Sequence, residues 1–137
     1  MTDQKTVTIL CAACSRQLCV ALRWINDDDE VCHEDGREML PPSTIGRASY
    51  EPIADLEWHA MNDTDLLVQR SSLRNVLETG TRSGCCGPDG GDGPNLSCNC
   101  GAIIGTEVSD CWMPHFVTLL QSAIEIIESS KQSGAIP

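Results

Sequence analysis

Nine cysteines stand in this chain of 137 residues, and seven of them lie in short clusters. The clusters are Cys11 with Cys14, Cys85 with Cys86, Cys98 with Cys100, and Cys111 shortly after them. Thiolate sulfur is a soft ligand that binds zinc, usually with four donors from two short motifs far apart in sequence. The spacing therefore predicts metal binding, with structural zinc as the ion.

The C-x-x-C motif of Cys11 and Cys14 is the strongest half-site in the chain. Residues three apart across a tight turn can direct both sulfurs at one point, and backbone amides can donate to the thiolates. Cys98 and Cys100 are separated by one residue fewer than usual and are followed by a glycine. We predict a first tetrahedral site from these four cysteines, which would join distant parts of the chain and contribute to folding.

The remaining clustered cysteines suggest a second site or substitute ligands for the first. Its candidate ligands are Cys85, Cys86, Cys111 and His115, although adjacent cysteines rarely bind one ion together. In an alternative assignment, Cys86 or Cys111 replaces Cys98 in the first site. Cys19 and Cys32 stand apart, and we interpret them as small buried apolar residues, a common role of free cysteine.

Other cysteine chemistries fit the pattern less well. An iron–sulfur cluster also needs four cysteines and stays open as a less favoured alternative. A thioredoxin-like C-x-x-C would begin a helix within an alternating pattern of strands and helices, and no such pattern follows Cys14. No common catalytic motif occurs, and Cys32-His33-Glu34 does not match the zinc-deaminase signature, so the prediction is that the protein is not an enzyme.

The glycine-rich segment and the histidines carry weaker signals. Asp89, Asp92 and Asn95 have oxygen atoms that could meet calcium, but an EF-hand would require a distal glutamate and flanking helices. Turns closed by Asx side chains are the preferred interpretation. His59 is interpreted as a packing residue.

The charge restricts the classes of partner. The formal net charge is −11, from 9 basic and 20 acidic residues. Nucleic acids and anionic membranes require clustered lysine and arginine, which the chain lacks. A basic protein surface is the partner that the charge favours. No signal peptide or membrane-spanning segment is recognised, so we expect a cytoplasmic protein, in which disulfides would be rare.

The N-terminal half-site is predicted to lie on a β-hairpin. Residues 5–11 and 17–25 alternate apolar with other residues, as strands do, and the C-x-x-C turn separates them. Residues 102–108 are predicted to form a further strand. The segment 26–38 reads as an acidic loop, 84–101 as a glycine-rich loop without regular structure, and 130–137 as a frayed tail.

Helices are predicted in two places. Residues 65–69 could form a strand or begin a helix, and a short helix ending at Gly80 is favoured because Leu66, Arg70, Leu73 and Leu77 fit helical spacing. The segment 114–129 has the clearest helical pattern, with Pro114 at the first turn. Its apolar stripe comprises Phe116, Leu119, Leu120, Ala123, Ile124 and Ile127. The predicted fold class is therefore α+β: one metal-stabilised domain over residues 1–137, with a small zinc-ribbon-like antiparallel β core and a C-terminal amphipathic helix.

The segment from Gly84 to Trp112 resembles uncharacterised small bacterial cysteine-rich proteins. The shared pattern is GCCGxDGxDGPNxxCxCG at residues 84–101, a GTE step at 105–107 and SDCW at 109–112, with the early C-x-x-C at 11–14. The resemblance implies metal binding by the seven clustered cysteines and leaves Cys19 and Cys32 outside the pattern. It implies no activity.

The functional hypotheses follow in order. The first is a non-enzymatic zinc-binding protein that acts as an interaction module, either an adaptor or an inhibitor of a partner protein. The second is a redox- or metal-responsive thiolate-cluster protein. The third is a nucleic-acid-associated zinc ribbon, which the acidic charge disfavours.

Overall fold

The computed structural model describes residues 4–50, Ile53 and residues 64–131. Nine strands run through this part of the chain. They are β1 (Gln4–Cys11), β2 (Gln17–Trp24), β3 (Thr44–Arg47), β4 (Leu66–Val68), β5 (Val76–Glu78), β6 (Leu96–Cys98), β7 (Ile103–Val108), β8 (Phe116–Leu119) and β9 (Ile124–Lys131). Three single-turn 3-10 helices, Asp28–Glu30, Arg70–Ser72 and Gln121–Ala123, lie between the strands.

The strands form one mixed sheet in the order β5-β6-β7-β8-β4-β3-β2-β1-β9. Neighbouring strands are antiparallel except β2 and β3, which are parallel. β1 pairs with β9 in an unbroken register from Gln4 opposite Lys131 to Cys11 opposite Ile124. This long ladder fixes the end of β1, where the C-x-x-C turn begins.

Two apolar cores hold the sheet together. The first core contains Val7, Ile9, Cys11, Leu18, Cys19, Leu22, Ile45, Leu66, Val68, Leu73, Leu96, Cys98, Ile104, Val117, Leu119 and Ile124. The second core contains Ile25, Met39, Leu40, Ala48, Ile53, Leu67, Val108, Met113 and Phe116. Because residues of β1 and of β6 share the first core, strands near opposite ends of the sheet order meet in space. That meeting brings the two predicted cysteine half-sites together.

The predicted C-terminal helix over residues 114–129 is wrong, and with it the α+β class. The segment forms β8, a single 3-10 turn and β9. Every residue of β8 is buried, because Val117 and Leu119 pack in the first core while Phe116 packs in the second. A strand covered on both faces is apolar at successive positions and loses its period-two signal, so a helical stripe can be read into it. Its β-branched residues favour the strand.

The short helix expected before Gly80 is wrong for the same reason. This segment contains β4, the 3-10 turn Arg70–Ser72 and β5. Leu66 and Val68 lie in the first core and Leu67 in the second, so β4 is again buried on both faces. The architecture is therefore a nine-stranded mixed sheet rather than a small zinc-ribbon core with a helix.

The strands predicted at 5–11, 17–25 and 102–108 are confirmed as β1, β2 and β7, within a residue at their ends. The segment 84–101 is not wholly irregular, because β6 lies within it. Of the predicted tail, residues 130 and 131 belong to β9, and the remainder lies outside the described residues. The described residues include no helix with the length and apolar character needed to cross a lipid bilayer.

Candidate metal centres

The structure brings Cys11, Cys14, Cys98 and Cys100 together, and we call them the four-cysteine group. Their sulfur atoms all lie within 4.8 Å of one another. Cys11 Sγ is 3.7 Å from Cys100 Sγ, and Cys14 Sγ is 3.5 Å from Cys98 Sγ. Four sulfurs placed tetrahedrally about 2.3 Å from a zinc ion lie about 3.8 Å apart. The spacing therefore suits a single tetrahedrally coordinated ion.

Each half of this group lies at the end of a strand, where a tight turn follows. After β1, the amide of Ser15 donates to the carbonyl of Cys11 at 2.8 Å, and the turn ends with Ser15 at a positive φ of 65°. After β6, the amide of Gly101 donates to the carbonyl of Cys98 at 2.8 Å, with Gly101 at a φ of +97°. Glycine adopts this conformation without a side-chain clash, which allows the shorter C-x-C spacing to turn the chain.

The four-cysteine group is anchored in the first core. Cys11 and Cys98 are 0% exposed, whereas Cys14 and Cys100 are exposed. Burial, assisted by hydrogen bonds with neighbouring cysteine sulfurs, raises the pKa of the Cys98 thiol to about 12. Metal binding must therefore displace a proton that the buried thiol holds tightly, and a cation among the sulfurs compensates that cost.

Cys85, Cys86 and Cys111 form a second assembly, which we call the three-cysteine group. Their sulfur atoms lie within 4.8 Å of one another, and all three residues are exposed. The adjacent cysteines, which the sequence argument considered awkward as joint ligands, thus place both sulfurs at one point. His115 is not among the residues whose donor atoms lie this close together, and its Nε2 lies 3.0 Å from the carbonyl oxygen of Asp110.

The carboxylate of Asp110 organises the three-cysteine group. It accepts hydrogen bonds from the backbone amides of Cys85, Cys86 and Cys111 at 3.0, 2.9 and 2.7 Å. A fourth hydrogen bond comes from the indole Nε1 of Trp112 at 2.9 Å. The backbone donors, that of Cys86 foremost, lower the pKa of Asp110 to about 2. One ionised side chain therefore fixes the backbone of all three cysteines, as outer partners of metal ligands commonly do.

Two glycines allow the Cys85–Cys86 turn to lie against Ser109 and Asp110. A Cβ atom at Gly84 would lie 1.7 Å from the carbonyl oxygen of Gly87 and 2.8 Å from Asp110 Oδ2. A Cβ at Gly87 would lie 2.9 Å from the carbonyl oxygen of Ser109. These contacts leave no room for a side chain, which explains the glycines on both sides of the cysteine pair.

A buried polar network around Glu107 holds the segment that leads to Asp110. The sequence did not predict this network. Glu107, 8% exposed, accepts a hydrogen bond from Arg82 at 2.7 Å and lies 3.5 Å from Arg70 Nε. The amide group of Asn95 bonds to the backbone N–H and carbonyl of Glu107 at 2.6 and 3.1 Å. Ser109 Oγ donates to the other carboxylate oxygen of Glu107. Only the GTE step of the sequence pattern hinted at this glutamate.

The other candidate residues that the structure describes belong to neither cysteine group. Asp89 Oδ1 accepts from the amide of Gly91 two residues later, as an Asx-turn does, whereas Asn95 belongs to the buried network. Cys19 is 0% exposed in the first core, and burial raises its pKa to about 12. Cys32 is half-buried and belongs to neither cysteine group. His59 lies outside the described residues.

Comparison of the chain with protein-family models, with curated proteins and with solved structures finds no match. The arrangement of the two cysteine groups is therefore the basis for assigning a function. Nine cysteines include two groups positioned to hold a metal ion, and their arrangement is compatible with zinc.

Proposed function

We propose that this chain is a zinc-binding protein with two unlike sites, one that stabilises the fold and one that exchanges its ion with the surroundings. The observation that carries the proposal is the difference between the groups. The four-cysteine group offers a complete set of sulfurs with two members fully buried, whereas the three-cysteine group is exposed throughout. Closed four-ligand sites are typical of structural zinc, and sites with three protein ligands keep an open position.

Zinc suits the four-cysteine group better than an iron–sulfur cluster does. Two sulfur pairs of the group are 3.5 and 3.7 Å apart, as expected around one ion. A cluster of several irons and sulfides would hold the cysteine sulfurs further apart. The exposed group favours the metal-responsive behaviour that formed the second hypothesis drawn from the sequence, because solvent and competing ligands can reach its sulfurs.

We expect the purified protein to hold two zinc ions per chain, one for each cysteine group. A chromogenic zinc chelator should remove one ion rapidly and the other only slowly, because buried sulfurs are reached by opening of the fold. Elemental mass spectrometry gives the stoichiometry, and absorbance of the chelator gives the two rates. The proposal fails if both ions leave at one rate or if no zinc is bound.

Two cysteine-to-serine variants show which cysteine group gives the fast phase of zinc release and which the slow phase. Cys111→Ser should remove the fast phase and leave the slow one, since it changes an exposed residue of the three-cysteine group. Cys32→Ser is the matched control, because Cys32 belongs to neither group and should leave both phases intact.

A second candidate function is the protein-interaction role, as adaptor or inhibitor, expected from the sequence. Its support is Trp112, which is 51% exposed beside the three-cysteine group, on a chain of formal charge −11. Half-exposed tryptophans are frequent anchors of protein interfaces. A basic partner with an apolar contact for this ring is the proposed binding class, and the same charge continues to disfavour nucleic acid.

If the protein has this role, retention of its partner at ordinary salt should depend on Trp112. Trp112→Ala should weaken retention at least tenfold while the slowly exchanging zinc of the four-cysteine group stays bound. Ile127→Ala is the control, because Ile127 is 46% exposed on the edge strand β9 and its truncation removes exposed apolar surface outside the three-cysteine group. Equal retention by both variants would exclude Trp112 as the anchor.

A further inference from the structure

The three-cysteine group has no fourth protein donor among the described residues. Its set of mutually close donor atoms ends at Cys85, Cys86 and Cys111. Zinc in proteins is almost always four-coordinate, so an ion bound there has one position to fill.

The neighbouring polar groups are already engaged. Asp110 Oδ1 accepts from the amides of Cys86 and Cys111, and Oδ2 accepts from the amide of Cys85 and the indole of Trp112. Two donors on each oxygen use the acceptor capacity of a carboxylate. His115 Nε2 is held at the carbonyl of Asp110, and Ser109 Oγ at Glu107. Filling the fourth position from these residues would break the contacts that shape the group.

We propose that an ion bound by Cys85, Cys86 and Cys111 takes its fourth ligand from outside the chain, and that this ligand is the sulfur of a small thiol. The inference deepens the proposed exchangeable site and depends on metal binding there. All three cysteines are exposed, so a small molecule can reach the open position. Three anionic sulfurs lower the positive charge that the metal presents, which weakens its hold on water and leaves a soft site that suits another sulfur.

The charges and atoms of the exchange balance without an oxidant. Three thiolates around Zn²⁺ carry a formal charge of about −1, and a fourth raises this to about −2, as in a complete four-thiolate site. The incoming thiol loses its proton to solvent as its sulfur takes the position that solvent held. With −11 on the chain, small uncharged thiols should bind better than thiols that carry carboxylates.

Trp112 follows Cys111 directly, and its indole shares the Asp110 carboxylate with the backbone of the three cysteines, so this half-exposed residue can extend the choice of ligand. Its indole nitrogen is turned to Asp110, and 51% of the residue remains exposed. A short apolar group attached to the thiol could pack against this ring. The predicted ligand class is therefore a small, uncharged, partly apolar thiol.

Cobalt in place of zinc makes the fourth ligand visible, because each cobalt–sulfur bond adds near-ultraviolet charge-transfer absorption. The rapidly exchanging zinc is first removed with a chelator while the four-cysteine group keeps its ion, and one equivalent of Co²⁺ is then added. Titration with 2-mercaptoethanol should raise the charge-transfer absorption by about one third, as four sulfurs replace three. Ethylene glycol, which has a hydroxyl in place of the thiol, should leave the spectrum unchanged.

The possible outcomes separate this inference from the proposed function. Cobalt absorption that no thiol concentration changes, with the ion still bound after gel filtration, overturns the open-position proposal and keeps the metal site. Failure to bind cobalt, in wild type and in Cys32→Ser alike, overturns the proposed site itself. A thiol-dependent rise in both of these proteins that is lost in Cys111→Ser supports the inference.

Discussion

Substituting Cys98 by serine should leave the protein largely unfolded at neutral pH, and chelation of the metal from the four-cysteine group should do the same. Cys98 and Cys11 are fully buried at the ends of β6 and β1, two strands near opposite ends of the sheet order. An ion between their sulfurs links the ends of two strands that also share the first core. Structural zinc contributes about 10–16 kcal/mol of apparent binding free energy in zinc-finger peptides, against a usual total stability of about 5–15 kcal/mol.

The measurement is far-ultraviolet circular dichroism with thermal unfolding, for protein with its metal and after chelation. We expect the β-sheet signal and the cooperative transition to disappear in Cys98→Ser and to return when zinc is restored to the chelated wild type. Cys111→Ser should melt close to the wild type, because its residue is exposed and belongs to the other group. A chelated, metal-free protein that keeps a cooperative transition within a few degrees of the wild type would contradict the structural role.

The sequence predicted the parts of the molecule that depend on local pattern. The alternating segment before Cys11 forms β1, and Val7 and Ile9 are fully buried as that alternation requires. The four cysteines predicted as one site have neighbouring sulfurs in the structure. Short motifs with the spacing of a half-site restrict the geometry strongly, although the sequence left open whether Cys86 or Cys111 would replace Cys98.

The sheet was not predicted because its central strands are buried on both faces. β4 and β8 each place residues in both cores, so β4 is apolar throughout and β8 is interrupted only by the buried Thr118. For such segments the period of hydrophobicity does not distinguish a short strand from a helix. The strand is determined by pairing with a distant segment, such as that of Leu67 with Thr118, 51 positions away. Such long-range pairing leaves no signal in the local sequence.

The role of Asp110 was missed for a related reason. Asp110 is adjacent to Cys111 in sequence. The amides of Cys85 and Cys86, which donate hydrogen bonds to its carboxylate, belong to a loop far away in sequence. A carboxylate beside a cysteine has many possible roles, and only the close approach permitted by Gly84 and Gly87 makes it the common acceptor. The sequence shows the GCCG and SDCW motifs, but it does not show that hydrogen bonds to Asp110 connect them.

Asp110→Asn should weaken metal binding at the three-cysteine group by about 10- to 100-fold, the usual effect of losing an outer partner of metal ligands. Asparagine has one acceptor oxygen in place of two, and its NH₂ group would face an amide N–H or the indole N–H of Trp112. The backbone of at least one cysteine would lose its hydrogen bond, and the negative charge that favours the present arrangement would be gone. The four-cysteine group shares no hydrogen bond with Asp110 and should keep its ion.

Competition with a chelator of known affinity measures the effect, with the slowly exchanging ion as the internal reference. Asp89→Asn is the matched control, since Asp89 lies in the same glycine-rich segment but accepts from Gly91 rather than from a cysteine. Wild-type affinity in Asp110→Asn would show that the three sulfurs are placed by their own loops. A selective loss there, with Asp89→Asn unchanged, would instead mean that one buried carboxylate sets the geometry of the exchangeable site. Its position, accepting from both segments that carry the cysteines, leads us to expect the selective loss.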